Sequence, residues 1–239
     1  MMITWPGIIL ALSLALIHGF ASQLPSERFI SRHRWVSFAG GVSLGYVFLE
    51  IFPELSHAQE TLVHSKLSAI AYLENHIYLL ALLGLVIFYG LDKIALKLAD
   101  PAVPEPTAFF WIHLLSFALI NGILGYLLQD LSNHSLFSCL LLFIALGLHL
   151  FVIDEHLREH HRVPYDGIGR WVLAAAVVVG MALGRATDLN EAAIAIIWSF
   201  LAGSIILQVL KRELPPERET YFPAFVLGTG LFALLLNLQ

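Results

Sequence analysis

The sequence predicts an all-α integral membrane protein that crosses a bilayer eight times, with both termini on the non-cytoplasmic side. Three observations carry that expectation: a composition too apolar for a water-soluble domain, apolar runs of spanning length set off by helix breakers, and basic residues sorted to alternate connections. Of 239 residues, 58% are hydrophobic and 13% charged, with a mean hydropathy of +0.79. A soluble domain carries roughly 25% charged residues, so lipid is the solvent for much of this chain. The net charge of -5 is spread over connections of both signs, and no basic stripe interleaved with aromatics points to nucleic acid. The single cysteine, Cys139, lies in an apolar run, excludes an intrachain disulfide and reads as a small buried hydrophobe.

A hydrocarbon core about 30 Å thick takes roughly 17 to 25 apolar residues per helix, because every backbone amide must find its partner within the segment. Eight segments of one membrane domain meet that length: residues 5–24, 35–51, 76–96, 109–128, 136–153, 168–184, 192–210 and 221–238. The first follows no basic residue and reads as a helix of the mature protein, closed by Pro25. The second opens at Trp35 behind Arg28, Arg32 and Arg34, and ends before Pro53. The third is followed by the run from Asp100 to Pro106 with its three prolines, and the fourth and fifth are divided by a short polar stretch before Leu136. Pro164 and Gly167 precede the sixth, and Pro215 with Pro216 separates the seventh from the eighth.

Lysine and arginine beside a span stay in the cytoplasm. The first, third, fifth and seventh connections hold 11 of the 13 basic residues; only Lys66 and Arg185 fall on the other side. One helix missed or invented would destroy that alternation, which places both ends outside.

Phe38 precedes Gly41 by three positions and Pro53 by fifteen, and Phe200 stands in the same relation to Gly203 and Pro215. The second helix runs out of the cytoplasm and the seventh into it. The expectation is therefore an inverted repeat, three helices either side of a central two (3+2+3), a construction many transporters use.

On these residues the chain resembles the ZIP (Zrt/Irt-like) family of divalent-metal transporters. Gly41-Val-Ser-Leu-Gly45 through Leu49-Glu50-Ile-Phe-Pro53-Glu54 resembles that family's glycine-rich second helix, which ends in an acidic or histidine residue followed by Leu-Pro-Glu. Val179-Gly180-Met-Ala-Leu-Gly184 is similar to the sixth-helix Pro-Leu-Gly-x-x-x-Gly, with valine in the proline's place. Ala202-Gly203 through Leu214-Pro215 resembles the family's seventh helix, and Val226-Leu-Gly228 through Leu235 its last. The resemblance implies a transporter of zinc, manganese or iron in the plasma (inner) membrane. It implies a homodimer, and the divalent metal ion is substrate or ligand rather than a tightly bound cofactor.

Two departures bear on the site. The family holds metal at mid-membrane with a fourth-helix His, then Ser or Asn, with an acid before Gly three or four residues on, and with a fifth-helix His followed four residues later by Glu. Here Asn121 before Gly122 stands in the acid's place and Phe117 in the histidine's, while the fifth helix keeps His149 but puts Ile153 at the Glu position. Asp154 comes one residue late, and one residue turns a helix by about 100°, so it does not simply substitute. The expectation is a ZIP-like carrier without the family's binuclear centre.

Ionisable groups inside a span cost several kcal/mol unless paired or hydrated, so each is a candidate. Toward the outside, Tyr46, Glu50, Glu54 and His57 share one stripe, with Glu74 and His76 at similar depth. Carboxylate with imidazole suits Zn²⁺, Mn²⁺ or Fe²⁺ at an entrance, and equally an interfacial cap meeting water. Toward the cytoplasm, His113 and His149 lie at matching depth, with His18 comparable and Ser22 one turn on. They read as ligands, or as neutral imidazoles hydrogen-bonded between helices. Only Ser43, Ser116, Asn121, Ser204 and Gln208 remain between the layers.

The connection from Asp154 to Arg162 contains His156, His160 and His161 and reads as a metal-binding helical extension or a solvated charged loop. His156-x-x-Glu159-His160 also matches an inverted zincin motif, but a hydrolase needs a third ligand, and no enzyme activity is expected. The candidate metal-contacting residues are thus His149, His113, Asn121, Glu50, Glu54, His57, His156, His160 and His161. The pairs Gly41 with Gly45 and Gly180 with Gly184 read as close helix contacts. The alternative to transport is a ZIP-shaped partner subunit or a membrane sensor of metal.

Overall fold

The computed structural model describes residues 5–20, 32–64, 77–98, 108–131, 135–214 and 221–238, which form eight apolar helices with no strand among the described residues. They are α1 (Trp5–Phe20), α2 (32–64), α3 (Ile77–Leu98), α4 (Ala108–Leu131), α5 (Leu136–His160), α6 (Arg162–Ala186), α7 (191–213) and α8 (Phe222–Leu236). Six contain stretches long and apolar enough to cross a bilayer, and α1 and α8 are shorter apolar helices. The protein is therefore an integral membrane protein in architecture. Outward faces are apolar, as on α3, where Leu79, Leu82, Leu83 and Val86 are exposed. Ser22, Pro25, Arg28, Lys66, Glu74, His76, the 100–106 connection, Pro215, Pro216 and Arg218 lie outside the described residues.

Three expected boundaries are corrected, one of them the start of the sixth helix, which begins at Arg162 and runs through Pro164 and Gly167 by a π turn at Tyr165–Gly169, not at residue 168. The second helix does not stop at Ile51 but continues through Pro53 to His64. A proline inside a helix lacks an N–H and crowds the carbonyl four residues back. Here the turn Val47–Ile51 widens to π geometry, with Phe52 N–H bonded to Val47 O, and the strain at Pro53 is relieved without ending the helix. The fifth helix likewise passes Ile153 and runs to His160, capped at its start by Ser135 Oγ, which accepts from Ser138 N. The stretch after Asp154 is thus a helical extension and not a loop.

Contacts between helix ends fix the alternation. The ends of α1 and α5 meet at His18 and Asp154, those of α3 and α7 at Asp92 and Lys211, and the start of α6 reaches the end of α1 where Arg170 donates to Gly19 O. The starts of α2 and α8 meet where Tyr221 N donates to Ser37 Oγ beneath Arg34. These groups, with Lys93, Arg158 and Arg162, form a basic end. At the opposite end Tyr126 of α4 donates to Thr187 after α6, and Glu54 of α2 nears Glu191 of α7. The chain passes up and down, and the first and last described helices begin and finish at the same, opposite end.

Parallel helices pack by backbone approach at glycine. A Cβ on Gly41 of α2 would overlap the carbonyl of Phe225 in α8, and one on Gly228 would overlap that of Phe38. The same reciprocal contact joins α7 to α3: Gly203 against Ala81 O, Gly84 against Phe200 O. Each Phe-x-x-Gly helix then turns to π geometry nine residues after its phenylalanine, at Val47 and at Val209. The partner helices match too, with Gly84 and Gly228 each followed four residues on by a buried phenylalanine, Phe88 and Phe232. In lipid such close packing, rather than apolar burial, drives helix association. Gly180 and Gly184 of α6 lie against the backbone of α4 at Gly122 and Tyr126, while Gly45 meets the ring of Phe232.

Candidate functional site

Three polar places stand out, and the sequence pointed clearly to one of them. At the opposite end, a cavity of about 370 Å³ is lined by Glu54, His57 and Thr61 of α2, Leu127 of α4 and Glu191 and Trp198 of α7. The extension of α2 past Pro53 is what brings Glu54 and His57 there; Glu50 is half-buried one turn earlier and Tyr46 buried one turn before that. Glu191 was not among the expected residues. Its placement is local: Asn190 Oδ1 accepts from Ala193 N at 2.8 Å and starts α7, which leaves an acid in the first turn where the helix dipole favours one. Two carboxylates, an imidazole and a hydroxyl around one cavity can hold a hydrated cation.

The second place is wholly interior. His18 of α1 faces Asp154 of α5 through Nδ1, at 2.8 and 2.9 Å from the two carboxylate oxygens, and Asn121 of α4 through Nε2, at 3.0 Å. The Asn121 amide nitrogen donates to Phe117 O at 2.9 Å, which turns its oxygen toward His18. Nε2 must therefore carry a proton, and a second lies between Nδ1 and the carboxylate. Imidazole and acid form one electrically neutral unit, the arrangement under which a charge survives in a membrane interior. Tyr165 of α6, also buried, brings its hydroxyl close to Asp154. Asp154 does face inward; being one residue late turns it toward α1, where His18 takes it. Asn121, expected in the place of a metal-binding acid, offers its oxygen to His18 instead.

The third place is the basic end. Asp92 of α3 is buried; its Oδ1 accepts from His113 Nε2 of α4 at 3.1 Å and its Oδ2 pairs with Lys211 of α7. His113 Nδ1 faces Nε2 of the buried His161 at 3.4 Å, between the rings of Phe109 and Phe110. Lys211 and Lys93 both lie over the Tyr89 ring. Asp92 escaped the sequence reading although it lies within the third span, because its neighbour Lys93 drew that end into the connection; the cost of an ionisable group in lipid was the signal that pointed to it.

Of the other expected residues, His149 is buried on the inner face of α5. His156 is half-buried and His160 exposed, with ring centroids 4.4 Å apart, and His160 Nδ1 donates to His156 O at 3.0 Å. Glu159, between them, is exposed. Among the described residues no three His, Cys, Asp or Glu side chains converge as a metal-holding group. Cys139 is half-buried, not enclosed. No known protein-family model matches the chain, and no curated protein matches it significantly.

Proposed function

We propose that the protein is a ZIP-like transporter of divalent metal cations of the zinc, manganese or iron class, working in a plasma or inner membrane with both termini outside. The observation that carries this reading is the recurrence of one helix pair. The α2/α8 contact and the α7/α3 contact share their glycine approach, their phenylalanine register and a π turn at the same distance along α2 and α7. Two such units of opposite direction in one bundle are the inverted repeat from which many secondary transporters are built, with distorted helices at the substrate path. The cavity of Glu54, His57 and Glu191 supports a cation as cargo, since oxygen with imidazole suits these metals. No catalytic role is proposed for His156, Glu159 and His160.

Uptake of Zn²⁺, Mn²⁺ and Fe²⁺ into proteoliposomes tests the reading. Glu54→Gln with Glu191→Gln is expected to raise the concentration for half-maximal uptake roughly tenfold while leaving the folded protein intact, each lost carboxylate removing part of the capture field. Uptake of none of the three ions by folded, unmodified protein would reject transport. It would favour a second reading, a ZIP-shaped partner or metal sensor, which the neutralisation of Asp154 by His18 supports.

A further inference from the structure

At the basic end, a cavity of about 20 Å³ lies between α3, α4 and α7, lined by Phe88, Asp92, His113, Ser116, Gln208 and Lys211 among others. That volume takes one water or one dehydrated ion. Gln208 lines it with its whole amide buried: the residue is 3% exposed, and neither Oε1 nor Nε2 has a hydrogen-bond partner. A buried amide in that state calls for an occupant. The Ser116 hydroxyl has committed its proton to Ile112 O at 2.6 Å, so only its lone pairs remain to face the cavity. Asp92 is held by His113 through Oδ1, which fixes the carboxylate and presents Oδ2 to the cavity side, where the Lys211 ammonium sits. Carboxylate oxygen, amide oxygen and hydroxyl oxygen are cation ligands, and the cation that meets them among the described lining residues is the protein's own Lys211.

We propose that Asp92 Oδ2, Gln208 Oε1 and Ser116 Oγ form a binding site for a divalent cation at the basic end, occupied in this state by Lys211 as a tethered substitute. The site rests on the carrier reading for its place in a path and deepens it: a cation arriving from the wide cavity at the opposite end displaces Lys211 from Asp92, and Lys211 returning to Asp92 expels the cation toward the basic end. Lys211 is suited to both positions, since its side chain is 34% exposed and Tyr89 offers the ammonium a ring face beside the pair. The repeat underlines that the device belongs to one end only. The positions of α2 and α8 that correspond to Lys211 and Asp92 are Leu49 and Leu236, which cannot make such a pair.

The test is calorimetric titration of the purified full-length protein with Mn²⁺, comparing the unmodified chain with Lys211→Gln and with Asp92→Asn/Lys211→Gln. Lys211→Gln is expected to bind one more Mn²⁺ than the unmodified chain, or the same number roughly tenfold more tightly, a size typical of coupling between competing ligands. The double variant is expected to lose that gain. A second measurement needs no variant that must fold: saturating Mn²⁺ should increase acylation of Lys211 by an amine-reactive reagent in the unmodified protein. Identical titrations of Lys211→Gln and the unmodified chain, a gain that persists without Asp92, or Lys211 acylation indifferent to Mn²⁺ would each overturn the proposal. Neither measurement involves transport, so an Asp92-dependent gain in a protein that carries no metal would uphold the site and remove only the carrier reading.

Discussion

Asp154 meets His18 Nδ1 with both of its oxygens, and the two side chains are 2% and 0% exposed. Removing one partner of such a pair strands the other in a medium that cannot solvate it. Asp154→Ala is expected to destabilise the protein by about 3–5 kcal/mol, whereas His18→Leu with Asp154→Leu costs far less, because no charge is left behind. Unfolding followed by circular dichroism in detergent measures both; a double variant as unstable as the single one would refute mutual neutralisation.

A contrasting pair joins the end of α5 to the start of α6. Arg158 Nε donates to Asp166 Oδ1 at 2.9 Å, with both side chains about a third exposed. Water and salt screen it, so a double-mutant cycle between Arg158→Ala and Asp166→Ala is expected to give a coupling energy below about 1 kcal/mol. A coupling as large as that between His18 and Asp154 would mean that this end is drier than its exposure indicates.

Glycine positions separate by what stands opposite them. Gly203→Ala drives a methyl into the carbonyl of Ala81 and is expected to cost about 1–3 kcal/mol by parting α3 from α7. Gly90→Ala, with nothing within 4 Å of the new Cβ, is expected to be neutral or slightly stabilising through helix propensity. Melting temperatures of the two variants in one detergent decide the matter, and equal losses would sink the packing account of the repeat.

Orientation has its own test. Val163 is 82% exposed at the basic end, and Asp188 is exposed between α6 and α7 at the other. With Cys139→Ala as background, Val163→Cys is expected to react with an impermeant thiol reagent only from the cytoplasmic side, and Asp188→Cys only from outside. Labelling of both from one compartment would break the alternation of helices.

The eight apolar helices were legible because composition along the chain sets them, and six of them are long enough to cross a bilayer as the sequence expected. Phe38-x-x-Gly41 and Phe200-x-x-Gly203 were legible as a pattern, but their partners were not: the match of Gly84 and Phe88 with Gly228 and Phe232 is two residues deep and gains meaning only when the helices are seen side by side. The end of α2 was misplaced because Pro53 reads as a breaker unless a π turn precedes it, and no residue type announces one. Asp154 was set aside on a sound angle with an incomplete premise. A residue turned 100° from one neighbour points at another in a bundle where α5 touches helices on several sides. Pairing across 136 residues of chain, as between His18 and Asp154, is a property of packing that spacing does not encode.

The brevity of α8 has a consequence for the surrounding lipid. It is bounded by Tyr221 before it and a turn at Asn237 after it, and its 15 residues rise only about 22 Å, against a hydrocarbon thickness of about 30 Å. Acyl chains beside it must compress or splay to avoid leaving its polar ends in oil, while the neighbouring α2, continuous over 32–64, imposes no such demand. The annulus around the protein is therefore expected to be uneven, with shorter-chain phospholipids gathered along the α8 flank.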